Sequence, residues 1–195
     1  MTAFSYQKLM GWLLLISAGL VAFHQPNQTA ALAKRKLLAD RSKSTITYAM
    51  SHPMHSFEGV SRDVACVIVI DDANKVESVA AAAKVSSFDS DNANRDSHAL
   101  EKLEALKYPK VTFASTDVEQ DGNKLTVAGN LTFHGVTRPI VIQAMRQDEN
   151  GQITIRGTFE IKLSDYKVEK PSLMMVAVNE EVKVRLLMVF KNTES

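Results

Sequence analysis

From Thr45 onward the chain alternates apolar and polar residues at a period of two, interrupted at short intervals by turn residues. Strands half-buried in a sheet have this period, because successive side chains point to opposite faces. Thr45-Ile46-Thr47-Tyr48-Ala49-Met50 has the β-branched and aromatic bias of a first strand. His52 to Gly59 breaks the pattern. Val60 to Ile70 resumes it and ends in the apolar run Val67-Ile68-Val69-Ile70. Asp71 to Lys75 reads as a turn and Val76 to Val85 as a strand. Ala80 to Ala83 favours helix by propensity alone, but the run is short and lies between strand-like segments. Its small residues suit a sheet face with something bulky packed opposite.

The later segments are cleaner. Val111 to Val118 leads into Gln120-Asp121-Gly122-Asn123, and Asp-Gly is a strong tight-turn pair. Leu125, Val127, Gly129, Leu131 and Phe133 alternate with Thr126, Ala128, Asn130 and Thr132. His134 to Pro139 reads as a second turn, Ile140 to Met145 as a strand, and Asp148-Glu149-Asn150-Gly151 as a third turn. Ile153, Ile155, Gly157, Phe159 and Ile161 give another alternating strand. Val182, Val184, Leu186, Met188 and Phe190 give the last.

One long stretch, Phe88 to Phe113, does not read as strand. A polar run leads into Ala99, Leu100, Leu103 and Leu106, which share one face of a short helix. Asn94 is its expected N-cap. Asp96 then falls in the first turn, where the helix dipole favours a negative charge. Tyr108-Pro109 ends it, since proline drives its predecessor out of the helical region.

Many short strands at close spacing predict an antiparallel sandwich or barrel. The Val67–Ile70 run and the final strand carry apolar residues on both faces, more than a sheet wetted on one side needs. That excess suits either a filled core or a barrel enclosing a small apolar ligand.

Composition narrows the function. The chain has 195 residues, with Lys+Arg 23 against Asp+Glu 22, so no bulk charge favours nucleic acid as a partner. The single cysteine, Cys66, excludes an internal disulfide and a multi-cysteine metal site; within Val64 to Ile68 it reads as a small buried hydrophobe. Leu9 to Phe23 is an uncharged run suited to a signal h-region and short for a membrane span. Ala31-Leu32-Ala33 has the small residues a signal peptidase accepts. Residues 1–33 are therefore expected to be an export signal, with a retained anchor as the alternative. Residues 34–43 read as a linker, and 44–191 as the domain.

The run Phe88-Asp89-Ser90, Asn94 to His98 and Lys107 to Phe113, followed by Gly129-Asn130-Leu131-Thr132-Phe133-His134-Gly135-Val136-Thr137-Arg138-Pro139-Ile140, resembles the YceI-like family of polyisoprenoid-binding proteins. The likeness covers roughly residues 42–191. It implies a mainly β fold, an antiparallel lipocalin-like β-barrel with a short helical insertion. It also implies an apolar channel for an isoprenoid chain, as in a quinone or a polyprenyl phosphate, and export to the bacterial periplasm. Two segments depart from the fuller family pattern: Ser51 to Val60 is short, and Ser164 to Glu180 holds Leu173-Met174-Met175-Val176.

In such a barrel the candidate channel-wall residues are Phe113, Leu131, Phe133, Met145, Phe159, Leu186 and Met188, although the alternation alone leaves open which face turns inward. Arg95 and His98 are candidate head-group donors at the mouth. The competing reading has Asp96 hold Arg95, with the cap fixing the insertion to the barrel. Met174 and Met175 suit an adaptable lid. His52, His55 and His134 lack metal-ligand spacing, so no metal site is expected. The expected function is a non-catalytic, periplasmic or secreted carrier with no cofactor beyond its bound lipid. One alternative is an interaction module for a membrane redox protein. Another is a barrel enzyme using His98, although no nucleophile elbow or phosphate-binding glycine loop is present. Transient membrane contact and a homodimer are left open by the sequence.

Overall fold

The structure, a computed structural model, describes residues 34–52, 55–169, 172–173, 176–177 and 179–192. Eleven strands form one antiparallel sheet. In chain order they are β1 (Arg35–Leu38), β2 (Thr45–His52), β3 (His55–Ser61), β4 (Val64–Ile70), β5 (Val76–Lys84), β6 (Phe88–Asp89), β7 (Lys110–Asp121), β8 (Lys124–Phe133), β9 (Val136–Glu149), β10 (Gln152–Lys162) and, last in the chain, β13 (Glu181–Lys191). Between the last two, β11 (Ser172–Leu173) and β12 (Val176–Ala177) pair only with each other. The sheet runs β1-β4-β5-β7-β8-β9-β10-β13-β2-β3-β6. Ala39, just after β1, bridges to Phe190 on β13, and Asp40 N donates to Val189 O at 2.7 Å. The segment leaving β1 therefore touches both β4 and β13, and the sheet curls into a lipocalin-like barrel.

The alternation now has a direction. Leu125, Val127 and Leu131 on β8 face the interior, as do Val182, Val184, Met188 and Phe190 on β13. Gly157 and Ala144 are register partners, and Gly157 also faces Leu186, so one inward layer runs across three strands.

Two tight connections set the register of β8 to β10. His134-Gly135 and Asn150-Gly151 each have positive φ at both residues (49° and 72°; 50° and 68°), the backbone that a two-residue hairpin of the right twist requires. The turn read from His134 to Pro139 is thus shorter than expected, and β9 begins at Val136. Pro139 is tolerated in β9 because β10 pairs only with residues 143–149 of that strand, leaving the stretch around Pro139 with a single neighbour.

Other expectations also shift. Residues 34–43, read as a linker, contain β1, paired with β4 from Arg35↔Ile70 to Leu38↔Val67. Most of the break read at His52–Gly59 is β3, in register with β2 from Ile46↔Ser61 to His52↔His55. The one α-helix among the described residues, α1, spans Ala93–Lys102 and stops short of Tyr108-Pro109. Its cap is Asn92 rather than Asn94: Asn92 Oδ1 accepts from Arg95 N at 3.0 Å. Both asparagines have the right side chain, but only Asn92 has the extended backbone of a cap (φ −149°). Asp96 does lie in the first turn.

Candidate functional site

The barrel encloses a cavity of about 870 Å³. Its wall is almost wholly aliphatic and aromatic and draws on β2, β4, β5, β7, β8, β9, β10 and β13. Small side chains make the space: Ala81 and Ala83 on β5, Ala144 on β9 and Gly157 on β10 all border the lumen. The expectation that the alanine run faces something bulky is met in part by aromatic partners, since Ala81 pairs with Phe113. The Phe113 ring in turn lies over Gly129 of β8, where an added Cβ would come within 2.5 Å of it.

Of the sequence-derived wall residues, Phe113, Leu131, Phe133, Phe159, Leu186 and Met188 border this cavity. Met145 does not. It is 51% exposed on the outer face of β9, because Ile142 and Ala144 take the inward positions and the two-residue period turns Met145 away. Cys66 is part of the wall, 6% exposed, and burial pushes its thiol up to about 12.

The mouth lies under α1. Arg95 and His98 both border it, Arg95 half-buried and His98 exposed. Arg95 is held from two sides. Its Nε donates to Ser90 Oγ at 2.9 Å and one terminal nitrogen to Ser90 O at 2.5 Å, while its guanidinium stacks over the Phe57 ring at 4.6 Å. Asp96 reaches Arg95 only through Ser90: Ser90 Oγ donates to Asp96 Oδ1 at 2.5 Å and Ser90 N to Oδ2 at 3.2 Å. Ser90 is thus the hub that the sequence reading missed. Nothing in the pattern distinguishes it from the other serines of the polar run.

Tyr48 completes this wall. Its phenol pKa is raised, first by burial and then by the Asp96 charge, with Arg95 and Ser90 pulling the other way. The phenol is therefore neutral, a donor facing the mouth. Elsewhere around the rim, Lys102 Nζ meets Glu169 Oε2 at 3.0 Å. His134 joins Glu104 Oε2 at 3.1 Å to Tyr166 O at 3.0 Å. These contacts tie α1 and the turn after it to the far side of the barrel. Met174 and Met175 lie outside the described residues, as does the segment read as an export signal. Among the described residues no three His, Cys, Asp or Glu side chains gather as metal ligands would.

A curled antiparallel sheet with a helix over its mouth and an apolar lumen defines the lipocalin-like class of barrels. Within that class, the YceI-like domain model matches residues 38–190, and the chain belongs to the YceI-like family. Protein YceI of Salmonella newport (strain SL254) is 30% identical over 150 residues, covering 72% of this chain and 78% of that protein. Among solved structures, Burkholderia cenocepacia BcnA aligns with a TM-score of 0.70 at 24% identity, over 77% of this chain and 98% of that one. A polyisoprenoid binding domain from Saccharophagus degradans, implicated in plant cell wall breakdown, aligns with a TM-score of 0.62 at 17% identity, over 82% and 98%. At these identities the two structural likenesses establish the fold.

Proposed function

We propose that this chain is a non-catalytic carrier for an isoprenoid lipid, a quinone or a polyprenyl phosphate, and that it works after export to the periplasm. The observation that carries this reading is the continuous apolar cavity of about 870 Å³. A prenyl chain gains about 25 cal/mol for each Å² of apolar surface it removes from water, so a tail is held by area alone. The polar atoms collect at one end, which gives a bound lipid an orientation: tail inward, head group beside Arg95, His98 and Tyr48. An Arg95 fixed by Ser90 and Phe57 suits a carbonyl or phosphate oxygen, because its guanidinium is held in place before a ligand arrives. The polyisoprenoid binding domain among the structural neighbours supports this choice of ligand class. The uncharged run Leu9–Phe23 supports export.

Solvent extraction of the purified protein followed by mass spectrometry tests the reading. A stoichiometric prenyl lipid is the expected result, or failing that, saturable uptake of a supplied isoprenoid quinone. A protein that yields no such lipid and takes up no quinone is not a carrier.

A further inference from the structure

At the end of the cavity away from α1 the floor is apolar, and a buried charged side chain lies behind it. Ala144 borders the lumen, and the next inward position on β9 is Arg146, only 5% exposed. Its Nε and one terminal nitrogen donate to the two oxygens of Asp148 at 2.7 and 2.6 Å. The other terminal nitrogen donates to the Asn74 carbonyl, in the turn between β4 and β5, at 2.5 Å. The arginine thus spans the barrel end from β9 to the opposite β4–β5 turn. On the lumen side the floor is apolar: Ile68, Leu125 and Phe190 all border the cavity, and none is more than 1% exposed. A tail advancing past them would meet a desolvated guanidinium that already has its hydrogen bonds, and it has nothing to offer in exchange.

We infer that this floor makes the lumen a ruler for the lipid's tail, so that the ligand is an isoprenoid of about seven prenyl units or fewer. The inference rests on the carrier reading and sharpens it. At the packing density of about 0.74 found in protein interiors, a five-carbon unit occupies roughly 120 Å³, so 870 Å³ holds about seven. Depth sets a second constraint. Phe133 and Leu125, near mouth and floor, are eight residues apart on β8. At about 3.4 Å per residue and a strand tilt near 40°, that is roughly 20 Å. A seven-unit tail drawn out straight exceeds this depth. It therefore bends back at the floor, and volume rather than reach sets the limit. Units beyond the limit remain outside the mouth in water and add no affinity.

Ala144 and Met188 are the residues that set the ruler, since both border the lumen near the floor. Ala144→Leu fills roughly 80 Å³ and Met188→Ala frees a similar volume, each about two thirds of a prenyl unit, which rounds to one unit in whole-unit steps. The test loads the protein, from detergent, with an equimolar mixture of all-trans prenyl alcohols of four to eleven units and weighs what is retained. Retention should rise severalfold with each unit up to about seven and then level off. Ala144→Leu should move the plateau about one unit shorter and Met188→Ala about one unit longer, with both folds checked by circular dichroism. Should the leucine variant fail to fold, the alanine variant carries the test alone. A retention profile that keeps rising to eleven units, or a plateau that Met188→Ala leaves in place, overturns the ruler while leaving the carrier intact. If no alcohol of any length is retained, the carrier reading falls and takes the ruler with it.

Discussion

The ring of Tyr48 occupies the space that a side chain on Gly59 would need: a Cβ there would come within 2.3 Å of Tyr48 Cε1. The two residues are register partners on β2 and β3. Glycine is what lets a tyrosine lie across the neighbouring strand and still reach the polar group at the mouth. Gly59→Ala should destabilise the fold by about 2 kcal/mol, in the range for overpacking a filled site. In a Tyr48→Ala background the same change should cost less than about 0.5 kcal/mol, because the clashing ring is gone. Urea midpoints of the four proteins complete the cycle. Additive losses would mean that the ring and the glycine are not coupled.

The two faces of the wall should respond differently to truncation. Leu131, 5% exposed, borders the cavity. Leu131→Ala should lower stability by about 2 kcal/mol, at the low end for buried leucine because the lumen beside it is already open. It should also weaken lipid retention. Met145→Ala, on the outer face, should stay within about 0.5 kcal/mol of the parent and leave retention unchanged. Thermal unfolding with and without a supplied quinone measures both. A Met145 variant that loses lipid would return that residue to the wall.

How far the fold was legible follows from these same residues. The period of two in β8, β10 and β13 is a local property, and it placed Leu131, Phe159 and Met188 on one face without any knowledge of partners. Met145 was misplaced because Ile140 to Met145 is apolar at both parities, so the pattern contained two answers, and only the pairing Gly157↔Ala144 chooses between them. The strand at Arg35–Leu38 was hidden because four residues are too few to show a period. Its identity comes from its pairing with β4, from Arg35↔Ile70 to Leu38↔Val67, far downstream. At the mouth, Arg95 and His98 stood out by type. Ser90 and Tyr48 did not, since their roles depend on a loop folding back beside α1 and on a glycine across the strand.

Ser90 makes its own prediction. It accepts from Arg95 Nε, donates to Asp96 Oδ1 and presents its carbonyl to Arg95, so a single hydroxyl connects the helix to the loop before it. Ser90→Ala leaves the Asp96 carboxylate and the Arg95 Nε without their shared partner. The loss should be about 1–3 kcal/mol, and local rather than global, since α1 has no fully buried residue. Amide exchange should quicken across residues 93–102 while the β8–β9 amides keep their protection. Uniform loss of protection would show instead that the hub supports the whole barrel.

Cys66 should make stability depend on alkaline pH. Burial raises its thiol from an ordinary 9.0 to about 12. Below pH 9 both the folded and unfolded chains keep the proton, and the buried neutral thiol makes its full contribution. Above pH 9 the unfolded chain releases the proton while the folded chain cannot. Stability therefore falls as pH rises, by about 1.4 kcal/mol per pH unit, and the loss ends only near the folded value. Tyr48 and Tyr166 have phenols raised by burial as well, so they steepen the decline above pH 10. The comparison that isolates the thiol is with Cys66→Ala, which keeps both tyrosines. Between pH 8 and pH 10.5 the parent should lose about 2 kcal/mol more than the variant, read from urea midpoints at each pH. Parallel curves would mean that the thiol reaches water, and a thiol in contact with water would in turn mean that the lumen around it is wet.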